Sequence, residues 1–119
     1  MTIAAQALLD ANIEAYNRHD IEAFAATYGT DAELLELGTG VLLAKGFDAV
    51  KAYYAARFKA NPSLHAEVIQ RIVQGDTYID QERLSGALNA SGDAERPPFT
   101  AVVISELKHG KIHRVWLLR

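Results

Sequence analysis

The sequence predicts an α+β domain in which helices come first and a β-meander follows. Apolar residues recur at helical spacing through much of the first half, whereas the second half holds four β-rich runs separated by turn signals. Helices followed by a set of antiparallel strands are typical of α+β domains. With 119 residues, 50% of them apolar, the chain is long enough to build one core. We expect a single domain over residues 1–119.

Three helices are predicted, over residues 3–17, 21–28 and 47–60. The first repeats alanine, leucine and isoleucine every three or four positions. Asp20 stands where the second helix needs an N-cap, and "GTD" provides a glycine that can end that helix. The third helix carries Val50, Tyr54 and Phe58 along one side, and "NP" stops it.

Strands are predicted over residues 32–37, 41–46, 64–73, 77–88, 99–107 and 111–119. Two runs within them, "AVVIS" and "VWLL", are apolar on both faces, so the sheet needs a cover on each side. The helices supply one cover, and a second subunit would supply the other. We therefore expect a homodimer through the sheet face that carries Trp116, although simple packing beneath the C-terminus would also explain this tryptophan.

The composition argues against several classes of function. The formal net charge is −3 and no basic stripe is present, so we expect no binding to nucleic acid. The absence of cysteine removes disulfides and thiolate nucleophiles and suits a reducing cytoplasm. No apolar run is long enough to cross a bilayer, and the N-terminus lacks the basic region of a signal peptide. The histidines form no cluster with carboxylates at metal-ligand spacing, so we expect no metal. We also expect no cofactor and a cytoplasmic location.

The order of the elements resembles that of a known superfamily. A first helix, then "YNRHDIEAFAATY", "DAELLE", "AKGFDAVKAYY" and a long meander ending in "HGKIHRVWLL" is similar to the nuclear transport factor 2-like superfamily. This superfamily includes the SnoaL-like polyketide cyclases and the ketosteroid isomerases. The resemblance implies a cone-shaped fold, with three N-terminal helices packed in a strongly curved mixed or antiparallel sheet around a pocket. It does not imply one chemistry, because the superfamily contains several kinds of enzyme as well as binding proteins.

The resemblance also implies positions for catalytic groups. Ketosteroid isomerases use an acidic base and two oxyanion donors, a tyrosine and a neutral acid. Counted from "NRHD", the base falls on Glu36, which stands between two leucines in a predicted strand. The donor positions fall on Asn12 and at or near Ile104, and a supporting tyrosine falls on Tyr54. Because neither donor is retained, classical steroid isomerisation is not expected.

Glu36 is the residue on which this interpretation depends. A desolvated carboxylate in a pocket is suited to proton abstraction. The competing interpretation is an edge-strand acid that faces water, since its side chain points away from those of the flanking leucines.

Other pocket residues are expected around it. Tyr16 and Asn12 lie four residues apart and share the helix face that borders the pocket. Tyr16 is a candidate hydrogen-bond donor for catalysis, or else a core aromatic, and Phe58 is expected to line the pocket. His113 has the inward parity on the last strand, which makes it either a candidate acid–base group or a packed side chain.

The strand over residues 77–88 contributes two further candidates. By alignment, Gln81 and Arg83 are expected to face the pocket, where Arg83 would hold Glu36 ionised or bind a carboxylate ligand. A surface salt bridge is the alternative for Arg83. This choice of parity places three neighbours outside the pocket: Tyr78, Asp80 and Glu82.

Two functions of different classes follow. The first is a small cofactor-independent enzyme of isomerase, cyclase or hydratase type, in which Glu36 acts on a small organic ligand with help from Tyr16, Asn12 or His113. The second is a binding or accessory module whose pocket holds a ligand without converting it.

Overall fold

A computed structural model describes residues 3–119 and shows three helices packed against one six-stranded sheet. The elements are α1 (Ile3–Arg18), α2 (Ile21–Ala25), β1 (Tyr28–Glu36), β2 (Leu42–Lys45), α3 (Phe47–Ala60), β3 (His65–Gln74), β4 (Thr77–Ser85), β5 (Phe99–Lys108) and β6 (Lys111–Leu118). Helices come first and a meander follows. The predicted α+β class and cone-shaped fold are confirmed.

The sheet is mixed, with the strand order β2-β1-β6-β5-β4-β3. β1 and β6 run parallel, whereas every other neighbouring pair is antiparallel. The concave face packs against the three helices. The final strand therefore lies in the interior of the sheet, between β1 and β5.

The second helix is shorter than predicted, and the first strand begins earlier. The Asp20 side chain caps α2 by accepting a hydrogen bond from the Ala23 amide at 3.1 Å, as the sequence predicts. The helix nevertheless ends at Ala25, and Tyr28 already pairs with β6. The Thr27 carbonyl accepts from the Ile112 amide at 2.9 Å. Pairing with a distant strand thus overrides the local helix signal, because a ladder hydrogen bond replaces the helical one.

Aromatic rings fill the space between the helices and the sheet. Phe24 and Tyr54 have ring centroids 4.6 Å apart, and Tyr16 and Phe58 meet edge to face at 5.2 Å. All four rings are buried. Tilted and edge-on pairs of this kind add about 0.5–1.5 kcal/mol beyond the burial of apolar area. These packed aromatic rings lie directly beside the candidate site described below.

Two close contacts fix the ends of β3 and β4, one to helix α1 and one to the segment before β3. The Asn17 side chain accepts from the Ala66 amide at 2.8 Å and donates to the Ala66 carbonyl at 2.9 Å, which fixes the end of α1 to β3. Gly86 follows β4 with φ +77°, and a Cβ there would overlap the Ser63 carbonyl oxygen. Only glycine fits this approach. The chain before β3 is thereby packed against the end of β4.

Candidate functional site

A small cavity lies between the helices and the concave face of β4, β5 and β6. Its volume is about 50 Å³, room for about four water-sized groups. Its aromatic wall consists of Tyr16, Phe24, Tyr28, Tyr53 and Tyr54. Its polar groups are Asn12, Arg57, Glu82, Ser105 and Arg119. An aromatic enclosure with few polar groups is typical of a small-molecule site.

Glu82 is the acidic side chain of this cavity. It is 7% exposed and makes no hydrogen bond or ion pair with any residue that the structure describes. Burial, together with the nearby Asp80 charge, raises the pKa of Glu82 to about 7, although the Arg71 charge opposes this rise. Desolvation penalises the charged form, so protonated and ionised Glu82 are both available near neutral pH.

The neighbouring ion pair, between Arg71 and Asp80, does not include Glu82. Arg71 donates to both carboxylate oxygens of Asp80, at 2.7 and 2.9 Å, and one guanidinium nitrogen lies 3.3 Å from Asp10. The side chains of Arg71 and Asp80 are only 12% and 9% exposed. The hydrogen bond with Asp80 is the main cause that raises the pKa of Arg71. Because Arg71 is engaged with Asp80, Glu82 remains without a cation of its own.

A second polar group of the cavity is formed by Arg57 and Tyr16. The Arg57 Nε atom lies 3.4 Å from the Tyr16 hydroxyl oxygen and donates to it. Burial raises the pKa of Tyr16, and the Arg57 charge opposes that rise. Since the hydroxyl oxygen accepts from Arg57, its own proton is free to be donated to a ligand in the cavity.

Tyr28, Tyr54 and Asn12 form a third polar group. The Tyr28 hydroxyl hydrogen-bonds with the Asn12 and Tyr54 side chains, and the Asn12 amide donates to the Thr27 hydroxyl at 3.0 Å. Burial raises the pKa of Tyr28 and also that of Tyr54. Both hydroxyls are therefore neutral near pH 7 and can serve as hydrogen-bond donors. The sequence prediction placed Asn12, Tyr16 and Tyr54 at the pocket, and all of them line this cavity.

The structure does not bring Glu36 into the cavity. Glu36 ends β1 opposite Leu117, beside the turn in which its carbonyl accepts from the Gly40 amide at 2.9 Å. It is partly exposed, whereas Leu34, two residues earlier on the same face, is fully buried. The register partner of Glu36, Leu117, lines the cavity, but β1 lies on the far side of β6 from β5 and β4, and Tyr28 is the described β1 residue that reaches the lining.

The predicted parity of β4 is wrong. Asp80 and Glu82 are buried on the concave side, whereas Gln81 and Arg83 are exposed on the convex side. The bulky residues Tyr78 and Leu84 share the parity of the two acids and are buried with them. Burial of these large side chains outweighs the preference of the acids for water, because Arg71 already compensates one acid.

His113, Ile104 and Phe58 also lie outside the cavity lining. A register shift in the β5–β6 ladder falls between Glu106 and Leu107, opposite the stretch of β6 that contains His113. His113 borders a shallow cleft on the surface instead. Ile104 pairs with Trp116, while its neighbours Val103 and Ser105 line the cavity, so the predicted position was displaced by one residue.

Phe58 packs in the aromatic core behind the lining residues. There it stacks on the His19 ring, with the centroids 4.9 Å apart. Its position on the inward side of α3 agrees with the predicted helix face, although it does not reach the cavity.

Neither Glu82 nor Arg57 was predicted from the sequence as a residue of the site. A signal for Glu82 was present in "YIDQERL", because the tyrosine and the leucine at its ends share one parity with both acids. No comparable signal marked Arg57. Its position follows only from the way α3 crosses the sheet.

The convex face of the sheet is apolar. One row of side chains crosses it from β2 to β3, consisting of Leu42, Leu35, Trp116, Ile104, Ile79 and Ile72. The Trp116 indole donates to Glu106 at 2.8 Å, and Arg114 pairs with Glu33 at 2.8 Å. Leu42 and Ile72, at the two ends of the row, are 47% and 53% exposed. We call this row, together with Val102 and Leu118, the outer apolar row.

Residues 3–119 are the part of the chain that the structure describes. No group of three or more histidine, aspartate or glutamate side chains in this range could hold a metal ion. None of the helices in this range is long and apolar enough to cross a membrane.

The fold is shared with several solved structures. An uncharacterised cystatin-fold protein from Novosphingobium aromaticivorans has a TM-score of 0.87 at 23% identity, covering 99% of this chain and 100% of that one. A putative polyketide cyclase from Sinorhizobium meliloti has a TM-score of 0.76 at 24% identity, covering 92% of each chain. A protein with a ketosteroid isomerase-like fold from Catenulispora acidiphila, in complex with trimethylamine, has a TM-score of 0.77 at 12% identity, covering 94% and 84%.

At these identities the structural matches show the fold alone, and no curated protein sequence matches the chain. The family model for the SnoaL-like domain matches residues 9–115, most of the chain. The predicted resemblance is confirmed: the chain belongs to the SnoaL-like domain family, within the nuclear transport factor 2-like superfamily.

Proposed function

We propose that this protein is an enzyme that transfers a proton on a small organic ligand, with Glu82 as the acid–base group. One observation supports this most directly: an unpaired buried carboxyl group, whose pKa is raised to about 7, lines an aromatic cavity. A general base is most effective when its pKa is close to the operating pH. Strongly shifted acids in a cavity are characteristic of functional sites.

The proposed step is proton transfer next to a carbonyl group. Ionised Glu82 takes a proton from the carbon beside the carbonyl. The electron pair of that C–H bond forms a C=C bond to the carbonyl carbon, and the π pair of the C=O bond moves onto the oxygen. The Tyr16 hydroxyl, which accepts from Arg57, donates to this oxygen as negative charge develops. Protonated Glu82 then returns the proton to the same or another carbon. Donors that are already oriented stabilise such an oxyanion without reorganisation.

The test compares two carboxylates in one assay that needs no known substrate. Small ketones and 2-oxo acids are incubated with the protein in D₂O, and deuterium incorporation is followed by NMR. We expect the wild type to accelerate exchange and Glu82→Gln to lose that acceleration by about 10²-fold or more. Glu36→Gln is the matched control and should keep it.

The result decides whether Glu36, predicted from the sequence, or Glu82, proposed from the structure, is the acid–base group. Loss of exchange in Glu36→Gln but not in Glu82→Gln would return the catalytic role to Glu36. If ligands bind but no exchange occurs with any compound, the second function, a binding module without catalysis, is the better description. The polar groups of Tyr28, Tyr54 and Asn12, which already satisfy one another, favour that alternative.

Steroid isomerase activity should be absent. The cavity of about 50 Å³ is far smaller than a steroid nucleus, and Asn12 replaces the predicted oxyanion tyrosine. Loss of even one oxyanion donor typically lowers the rate by about 10²–10³. Incubation with a Δ5-3-ketosteroid, followed by ultraviolet absorbance, checks this; robust conversion would show that the cavity opens much more widely.

We also propose that two copies associate through the outer apolar row. The row presents leucine, isoleucine and tryptophan side chains across the sheet, with charged groups such as Glu33 and Arg114 beside it. An apolar centre with an aromatic residue and a polar rim is typical of protein interfaces. A homodimer would supply the second cover that the sequence calls for.

A further inference from the structure

We infer that the cavity takes a small organic anion whose carboxylate binds Arg57. This inference deepens the proposed function and rests on it only in treating the cavity as the ligand site. It follows from the surroundings of the Arg57 guanidinium and from the distribution of charge around the cavity.

Arg57 is a partly buried cation without an acidic partner. The single hydrogen bond that its guanidinium makes to a described residue is the one to the Tyr16 hydroxyl, 3.4 Å long. The groups that raise its pKa are the tyrosines Tyr16, Tyr54 and Tyr53, and no carboxylate is among them. A neutral hydroxyl leaves the positive charge uncompensated, and partial burial removes water that would otherwise solvate it.

The other arginines near the core are arranged differently. Arg71 is bound to Asp80 and Asp10, and Arg114 is bound to Glu33. Arg57 is thus the buried or partly buried arginine for which the described part of the chain supplies no acid. It also lines the cavity, so a bound ligand can reach it.

The balance of charge in the lining favours an anion. Arg57 and Arg119 contribute positive charge, whereas Glu82 is the acid among the described lining residues. The guanidinium group offers a planar fork of donors that matches a carboxylate. The small volume limits the enclosed part of the ligand to about four or five non-hydrogen atoms. The shortest 2-oxo acids carry this charge and come close to this size, since glyoxylate has five non-hydrogen atoms and pyruvate has six.

The test uses a pair of probes that differ in charge and little in shape. Pyruvate and pyruvamide are titrated separately into the protein, and binding is followed through the amide signals of the lining residues by NMR. We expect the wild type to bind pyruvate at least about tenfold more tightly than pyruvamide. Equal affinity for the two probes would overturn the inference, without recourse to any variant.

Variants then locate the charge that is responsible. Arg57→Gln should abolish the preference for pyruvate, whereas Arg57→Lys should retain most of it. Arg83→Gln, an exposed arginine on the other face of β4, is the matched control and should behave like the wild type. A preference that survives in Arg57→Gln would overturn the assignment to Arg57.

The inference and the proposed function fail in different ways. Selective binding of pyruvate without deuterium exchange leaves the inference standing and contradicts the catalytic proposal. Exchange that is equally fast with neutral ketones and with 2-oxo acids supports catalysis and contradicts the anion site.

Discussion

Strand β4 has opposite chemistry on its two faces. Asp80 and Glu82 are buried on the concave face, whereas Ile79 lies on the convex face beside the exposed residues Gln81 and Arg83. A simple hydrophobic-inside rule would predict the reverse for Ile79 and its acidic neighbours. The difference shows that the face of a strand is decided by its largest side chains and by partners from other strands, not by each residue alone.

Charged side chains also have different surroundings on the two faces of the sheet. On the concave face, Asp80 is neutralised by Arg71 within a nearly dry environment, and Glu82 is left without a partner. On the convex face, Glu33 and Arg114 form a partly exposed pair at the rim of the outer apolar row. Buried charged groups such as those on the concave face strongly affect the stability of the fold and the pKa values of their neighbours. Exposed pairs such as the one on the convex face are screened by solvent.

The largest difference between the faces should appear when each ion pair loses one partner. Asp80→Asn leaves the Arg71 charge with only the more exposed Asp10 carboxylate, 3.3 Å away, to compensate it. We expect the free energy of unfolding to fall by about 3–4 kcal/mol. Glu33→Gln on the convex face should have a much smaller effect. Urea unfolding of both variants measures this, and equal losses would mean that the concave pair is not isolated from water.

A second effect concerns the pH dependence of stability. The folded state raises the pKa of Glu82 from 4.5 to about 7, so it binds the proton more tightly than the unfolded chain does. The resulting stabilisation is present below pH 4.5 and is lost as the pH rises through about 7. The loss amounts to roughly 3 kcal/mol over this window.

Urea unfolding from pH 4.5 to 8 in the wild type and in Glu82→Gln isolates this contribution as a difference between the two curves. The variant should lack the downward slope, whereas Arg83→Gln should keep it. An identical slope in Glu82→Gln would show that Glu82 is solvated in the folded protein.

The smallest expected effect is on the convex face. Trp116→Ala should weaken the proposed dimer by about 2 kcal/mol if this tryptophan is a central anchor. Lys59→Ala, at an exposed position on α3, is the control. Analytical ultracentrifugation at micromolar concentration reports the mass, which should be twice that of the chain for the wild type. A monomeric wild type would remove the interface from the proposal.

Much of the fold was accessible from local patterns. The helical spacing, the Asp20 cap and the turn glycines predicted three helices and the later strands within a few residues. These features depend on the preferences of neighbouring residues, which the linear sequence contains. The resemblance to the superfamily then predicted the cone and placed Asn12, Tyr16 and Tyr54 around its cavity.

The chemistry of the site was decided by tertiary structure. A strand pattern with a period of two defines two faces but does not say which one faces inward, and a shift by one residue exchanges them. The choice for β4 depends on Arg71, nine residues away from Asp80 on another strand, which makes the burial of that acid tolerable. Likewise, a register irregularity moves His113 to the surface, and the position of β1 beyond β6 in the sheet keeps Glu36 out of the cavity. The sequence alone therefore determined which elements form, whereas the packing of distant residues decided that Glu82 and Arg57 meet at one cavity.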